Sequence, residues 1–211
     1  MNYIFSAIFL YFFIGILLFC FQRRIIFNRS GHPGSPKDYN LSNTKEILIA
    51  TEDNIDLLSW LHMGNKNLPL LIYLHGNSFH IGDRAYRIQK YINKNWNVLL
   101  VSWRGFGGNK GNPTENNLYK DGEAVLKWVS KNTKFTNEQI VIYGESLGSG
   151  VAVELGIKYK FLSIVLEAPF TSISDIAKKR YKIYPTKLLI KDKFDNLSKI
   201  SKLKSPLLVI S

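Results

Sequence analysis

At 211 residues the chain has room for one ordinary domain and a short appendage, and its 45% hydrophobic content excludes a disordered polymer. A lone cysteine, Cys20, excludes an internal disulfide framework. The net charge of +12 would suit nucleic acid or anionic lipid, but the lysines are scattered and the compact block Lys178–Lys182 is short enough to be a solvated helix face; with no nucleic-acid module beside it, no nucleic-acid partner is expected.

Tyr3–Phe21 carries no charged side chain and approaches the roughly 20 apolar residues a membrane-spanning helix needs. Arg23, Arg24, Arg29 and Lys37 follow it, whereas only the α-amino group precedes it. That asymmetry predicts a single-pass membrane protein with its C-terminal side in the cytoplasm. A cleavable leader would want a basic start and a small-x-small cleavage site, and neither is present, so residues 1–30 are expected to be an uncleaved anchor and juxtamembrane segment. A Gly/Pro/Ser-containing linker over 31–37 opens the folded domain, expected over 31–211.

Glu46–Thr51 and Asp56–His62 flank Glu52-Asp53-Asn54 and predict an antiparallel hairpin. The pattern then changes. Leu68–Leu74, Asn97–Ser102, Ile140–Tyr143, Ser163–Leu166 and Pro206–Ile210 are continuous apolar runs, which suit strands buried on both faces of a parallel sheet. Pro69 falls at a strand entry, where its missing N–H is tolerated. Helices are expected over Asp83–Asn93, Thr114–Lys131 and Leu147–Lys158, with Thr114 and Glu115 as a start signal. Strand and helix alternate, so the fold class is α/β, with a mostly parallel central sheet flanked by helices.

Gly144-Glu145-Ser146-Leu147-Gly148 lies at a strand-to-helix junction and matches G-x-S-x-G, the nucleophile elbow. Ser146 would sit on a sharp, strained turn, and side chains at Gly144 and Gly148 would collide with the neighbouring strand or helix. Ser146 is then the candidate nucleophile, and the N–H of Leu147 at the helix N-terminus the first oxyanion donor. The loop His75-Gly76-Asn77 also follows a buried strand, and the N–H of Asn77 is the candidate second donor. His75 is read as fixing that loop rather than acting as a base. A rival pattern overlaps the motif: Gly144, Gly148 and Gly150 resemble the phosphate loop of short-chain dehydrogenases, with Glu167 as a ribose-binding acid. The mid-chain position and the lack of a downstream Tyr-x-x-x-Lys pair count against it.

In order along the chain stand His75-Gly76-Asn77, Trp103-Arg104-Gly105-Phe106-Gly107, Gly111-Asn112-Pro113-Thr114-Glu115, the elbow, and Ala168-Pro169-Phe170-Thr171-Ser172. This series resembles the Bem46-like branch of the α/β-hydrolase superfamily, whose animal relatives include protein depalmitoylases, and the resemblance spans roughly Ile47 to Ile210. It implies an α/β-hydrolase fold and a serine hydrolase that cleaves carboxylic esters or thioesters of small-molecule or acylated substrates through an acyl-enzyme, with no cofactor and no metal. Two departures stand out. Ser78-Phe79-His80 follows Asn77 where the branch usually has Ala-Gly-Asn, a change expected to bear on the acyl pocket or the loop's dipoles. Ser102-Trp103 replaces a commoner Asp-Tyr, read as a packing change.

The branch takes its acid after the strand that corresponds to Pro206–Ile210 and its base after one further strand. All four histidines, His32, His62, His75 and His80, precede Ser146. The resemblance therefore implies a C-terminally incomplete domain, lacking its last strand and helices, and a fragment of a longer reading frame is expected. The alternative is a catalytically inactive, membrane-tethered binding module. Nothing in the sequence speaks to oligomeric state, and the Lys-rich, aromatic segment Ser174–Leu203 carries no readable specificity signal.

Overall fold

A computed structural model describes residues 2–29 and 31–211. The domain boundary expected after residue 30 rests on Ser30, which lies outside the described residues. The apolar N-terminal run forms one helix, α1 (Asn2–Ile26), long and apolar enough to cross a membrane. It leads through Phe27, which is buried in the domain core, into the short strand β1 (Asn28–Arg29). The expected hairpin is β2 (Thr44–Ala50) with β3 (Asp56–His62), antiparallel in register from Thr44–His62 to Ala50–Asp56.

β4 (Leu70–Leu74) follows, then the short β5 (Ser78–Phe79), which pairs in parallel with β1. α2 (Ala85–Ile92), β6 (Asn97–Val101), α3 (Glu115–Asn132), β7 (Ile140–Glu145), α4 (Leu147–Lys158) and β8 (Ser163–Glu167) continue the alternation. Thr114 caps α3, its side chain accepting the N–H of Asn117 at 3.1 Å. α5 (Ile173–Arg180), the short α6 (Thr186–Leu189) and β9 (Leu207–Ile210) complete the described elements.

The main sheet has seven strands in the order β2-β3-β6-β4-β7-β8-β9. From β6 to β9 every pairing is parallel, and β2–β3–β6 is antiparallel. Two apolar layers clothe it, and strand alternation sorts residues between them. Leu70, Ile72 and Leu74 face α3 and α4; Leu71 and Tyr73 face α2 with Ile81 and Ile88. The chain leaves β4 toward α2 and leaves β7 toward α4, so β4 and β7 are neighbours whose helices lie on opposite faces. This is a topological switch point, and a crevice opens there at the carboxyl ends of the strands.

The strands at the far end of the sheet are less covered than a run buried on both faces. All four residues of β9 are exposed, and among the described residues it pairs only with β8, in keeping with a domain expected to lack its last strand and helices. In β8, only Ile164 and Leu166 are fully buried, so it too packs mainly on one side. α5 includes Lys178–Arg180 of the block read as a solvated helix face, and these three side chains are exposed; α6 was not anticipated.

Ahead of α3, the turn around Gly105 is organised by a buried ion cluster. Arg104 and Asp121 are 1% and 0% exposed. The guanidinium donates to Asp121 at 2.7 Å and to Asp53 of the hairpin turn at 2.6 Å, linking β2–β3 to α3. Burial pushes the Asp121 carboxyl up, against the pull of Arg104. Asp121→Ala would leave the buried Arg104 with the half-exposed Asp53 as its remaining carboxylate partner, and a loss of about 1–3 kcal/mol in unfolding free energy is expected by urea denaturation in detergent micelles.

Candidate active site

Ser146 lies between β7 and α4 at φ 46° and ψ −109°. For a residue with a Cβ this is a strained backbone, costing of order 1–3 kcal/mol, and it persists only where the surroundings over-determine it. Three hydrogen bonds do so here. The Ser146 N–H donates to the Glu167 carbonyl at 2.9 Å. The Ser146 carbonyl accepts from the Ser149 N–H at 2.9 Å and from the Ser149 hydroxyl at 2.6 Å.

The two elbow glycines have steric reasons. A Cβ on Gly144 would lie 2.7 Å from the Ser149 Cα and 2.8 Å from the Ala152 Cβ, inside α4. A Cβ on Gly148 would overlap the Leu74 carbonyl at the end of β4. Gly150, part of the rival phosphate-loop pattern, is small for another reason: a Cβ there would meet the Phe194 ring at 2.5 Å. Glu167, the rival's ribose acid, is already engaged. Arg87 donates to both of its oxygens at 2.7 and 2.6 Å, and the Tyr143 hydroxyl donates at 2.9 Å.

The loop after β4 comes to the serine. A Cβ on Gly76 would stand 3.3 Å from the Ser146 Cβ and 3.0 Å from Glu145 Oε1, so glycine allows this approach. Asn77, Ser146 and Leu147 line one cavity together. The Asn77 side-chain oxygen accepts the N–H of Asn28 at 2.9 Å, which ties the loop to the chain leaving α1. Leu147 opens α4, so its N–H belongs to the set that a helix N-terminus leaves without an intrahelical partner. Phe79 and His80 do not line the cavity; Phe79 is 52% exposed, in positive φ within the small β1–β5 sheet.

His75 is fully buried beneath the loop, its Nδ1 2.7 Å from the Gly76 carbonyl. Its ring packs against Trp103 and Phe106, and the Trp103 indole N–H donates to the His75 carbonyl at 3.0 Å. The polar handle of Trp103 therefore holds the loop, a use that its reading as a packing change did not foresee. His62 pairs with Thr44 on β3, three strand positions from β7 and so about 14 Å away. His32 packs beside Gly108 and His80 beside Gly31. Among the described residues, no histidine hydrogen-bonds to Ser146.

A polar ladder beneath the site was not foreseen. Arg84 grips Glu145 at 2.9 and 3.1 Å and donates to the Ser78 carbonyl at 2.7 Å, and the Tyr73 hydroxyl completes Glu145 at 2.9 Å. Burial pushes the Glu145 carboxyl up, but Arg84 outweighs it and holds the group below its ordinary value. Tyr73 stacks on Tyr143 at 4.8 Å, and Tyr143 binds Glu167, which Arg87 holds. Burial foremost raises both tyrosine hydroxyls, which stay protonated as donors.

The cavity above Ser146 measures about 250 Å³. Its other walls come from α1 and from α5–α6, with Phe170 between them.

Residues 65–207 match the protein family described as serine aminopeptidase, S33. An uncharacterized protein of Mycobacterium tuberculosis is 30% identical over 93% of this chain and 72% of its own length. The protein bem46 of Schizosaccharomyces pombe is 29% identical over 75% of this chain, which spans 57% of that relative. Among solved structures, an esterase of Pyrococcus furiosus superposes with a TM-score of 0.68 at 24% identity, over 87% of this chain and 76% of that one, a likeness of fold.

Burial, then the nearby Arg84 guanidinium, pushes His75 down to about 4. Between pH 6.5 and 4 the unfolded chain takes up a proton that the folded one refuses, so acid favours unfolding. The His75 share of stability is expected to fall by about 3 kcal/mol across that window, and the paired carboxylates such as Glu145 continue the fall below it. Urea denaturation at stepped pH checks this, with His75→Gln giving a shallower profile.

Proposed function

The chain belongs to the α/β-hydrolase superfamily, in the family described as serine aminopeptidase, S33, and from that premise we propose that Ser146 is the nucleophile of a hydrolase cleaving carboxylic esters or thioesters through an acyl-enzyme. The observation that carries this reading is the strained Ser146 turn, set against Gly76 and the start of α4 and opening on an apolar cavity. The Ser146 hydroxyl gives its proton to a base as its oxygen bonds to the acyl carbon. The N–H groups of Leu147 and Asn77 hold the oxyanion. The leaving alcohol or thiol takes the proton back, and water then releases the acid through the same base. The base is a histidine and its orienting acid a carboxylate, in the order Ser, acid, His that the α/β-hydrolase pattern implies.

The domain sits on the cytoplasmic side of the membrane, a reading supported by Arg23, Arg24 and Arg29 at the C-terminal end of α1. A second reading is a tethered binding module without turnover, which draws on the lack of a histidine contact to Ser146 among the described residues. A fluorophosphonate probe separates the two. The protein extended through a base and acid is expected to be labelled, and Ser146→Ala to abolish labelling. Labelling that survives the substitution overturns the nucleophile assignment, and an unlabelled extended protein supports the binding module.

A further inference from the structure

α1 is more than a tether. One stripe of it, Tyr11, Gly15, Leu18, Gln22 and Ile26, is half-buried or buried, while the described side chains between these positions are exposed. The spacing follows one helical face, and that face packs on the α5–α6 segment. Gln22 donates to the Leu189 carbonyl at 3.1 Å and accepts the Lys191 N–H at 2.8 Å. Arg23 binds Asp192 at 2.8 Å. Further along α1, Tyr11 stacks on Tyr184 at 4.8 Å, its hydroxyl donates to the Ile183 carbonyl, and the Tyr184 hydroxyl donates to the Tyr11 carbonyl. Gly15 makes room, since a Cβ there would lie 3.0 Å from the Tyr184 ring.

Between these two anchorages runs the cavity that ends at Ser146. α1 contributes Gly15, Leu18, Phe19, Gln22, Ile25 and Ile26 to its wall. The opposite wall includes Ile173, Ile176, Ala177, Tyr184 and Leu189. From Gly15 to Ile26 the helix advances about 16 Å. The contacts to Tyr11 carry the α5–α6 segment alongside the apolar part of α1. Ile183 and Leu188 on that segment are 70% and 83% exposed, which suits hydrocarbon rather than water. Arg23, Arg24 and Lys191 mark the level of the membrane surface, next to Gln22 and close to the Ser146 end. Arg180 lines the cavity, and with Lys178 and Lys179 it forms an exposed basic cluster at the end of α5.

We infer that α1, α5 and α6 form a groove that takes one acyl chain of an anionic acyl-ester lipid sideways from the bilayer, with its ester carbonyl at Ser146. This deepens the hydrolase reading and rests on it for the carbonyl's position, but filling the groove needs no catalysis. The chain passes from one hydrocarbon environment to another, so added methylenes bring little hydrophobic gain and fit to the groove decides occupancy.

The test is photo-crosslinking of the 211-residue chain in nanodiscs, with a diazirine in one acyl chain of phosphatidylglycerol or of phosphatidylcholine. Adducts are expected on Leu18, Ile176 and Leu189, with phosphatidylglycerol favoured about fivefold and Arg180→Gln removing that preference. Leu18→Trp and Ile176→Trp, from opposite walls, are each expected to lose groove adducts while adducts on the outward Phe13 and Ile16 persist. Ser146→Ala should retain groove adducts. Adducts confined to the outward face of α1, or groove adducts unchanged by both tryptophans, would overturn the inference. So would an S-acylated peptide that competes for the groove better than the lipid. A protein that fluorophosphonate labels but whose groove gains no lipid refutes the groove alone; a lipid-filled groove in a protein that carries base and acid yet never reacts refutes the hydrolase reading alone.

Discussion

The first turn of α4 rests on the last carbonyl of β4, and this contact sets the geometry of the rest of the site. Only a residue without a Cβ fits at Gly148, because the Leu74 carbonyl occupies the space a methyl group would take. The close approach pulls the N-terminus of α4 over the switch point between β4 and β7. Ser146 must then turn through a strained conformation to join strand to helix. The same approach brings the loop after β4 within contact of the serine, so the strained Ser146 turn, the helix N-terminus and the Gly76 loop follow from one glycine-permitted contact.

Strain of this kind needs a stiff support, and the polar ladder under the loops supplies it. Glu145 and Glu167 end adjacent strands directly opposite one another in the register. Two carboxylates so placed would repel one another and cost stability if left bare. Each instead has its own arginine and its own tyrosine, and the tyrosines stack across β4 and β7. Arg84 also holds the Ser78 carbonyl, so the charge pair under the elbow positions the Gly76–Asn77 loop as well. Acids that resemble spare catalytic groups in the sequence are, in three dimensions, the bracing of the turn.

Which parts were legible in the sequence follows from how local their causes are. The buried strands announced themselves through runs such as Leu70–Leu74, and the elbow through glycines whose spacing is fixed by one turn of chain. β9 has the composition of a covered strand, and among the described residues Leu207–Ile210 pairs with β8 alone, as a domain expected to lack its last strand implies. The ladder was hidden because its partners are far apart in sequence, as with Arg84 and Glu145. Asp53, Arg104 and Asp121 were hidden for the same reason. Of α5 and α6, only the basic end of α5 was readable, as the helix face within Lys178–Lys182; the partner of their apolar residues, α1, lies at the other end of the chain, where no local periodicity reveals it.

That last dependence changes how the anchor should be understood. A helix that only holds a domain near a membrane has no need of a matched face. α1 has one, with a glycine where Tyr184 crosses, a glutamine that hydrogen-bonds the backbone on both sides of Ile190, and an arginine on Asp192. Asp192 also accepts the Glu115 N–H at the start of α3, so the helix contact continues into the body of the domain. Gln22 is costly in a hydrocarbon setting unless its amide is satisfied, and both of its polar atoms are. Satisfying it fixes the rotation of α1 about its own axis, and therefore which residues face Ser146. The wall of the cavity is thus set by a polar contact near the C-terminal end of α1, and a chain that lost α1 would keep the elbow but lose one wall of the cavity it opens onto.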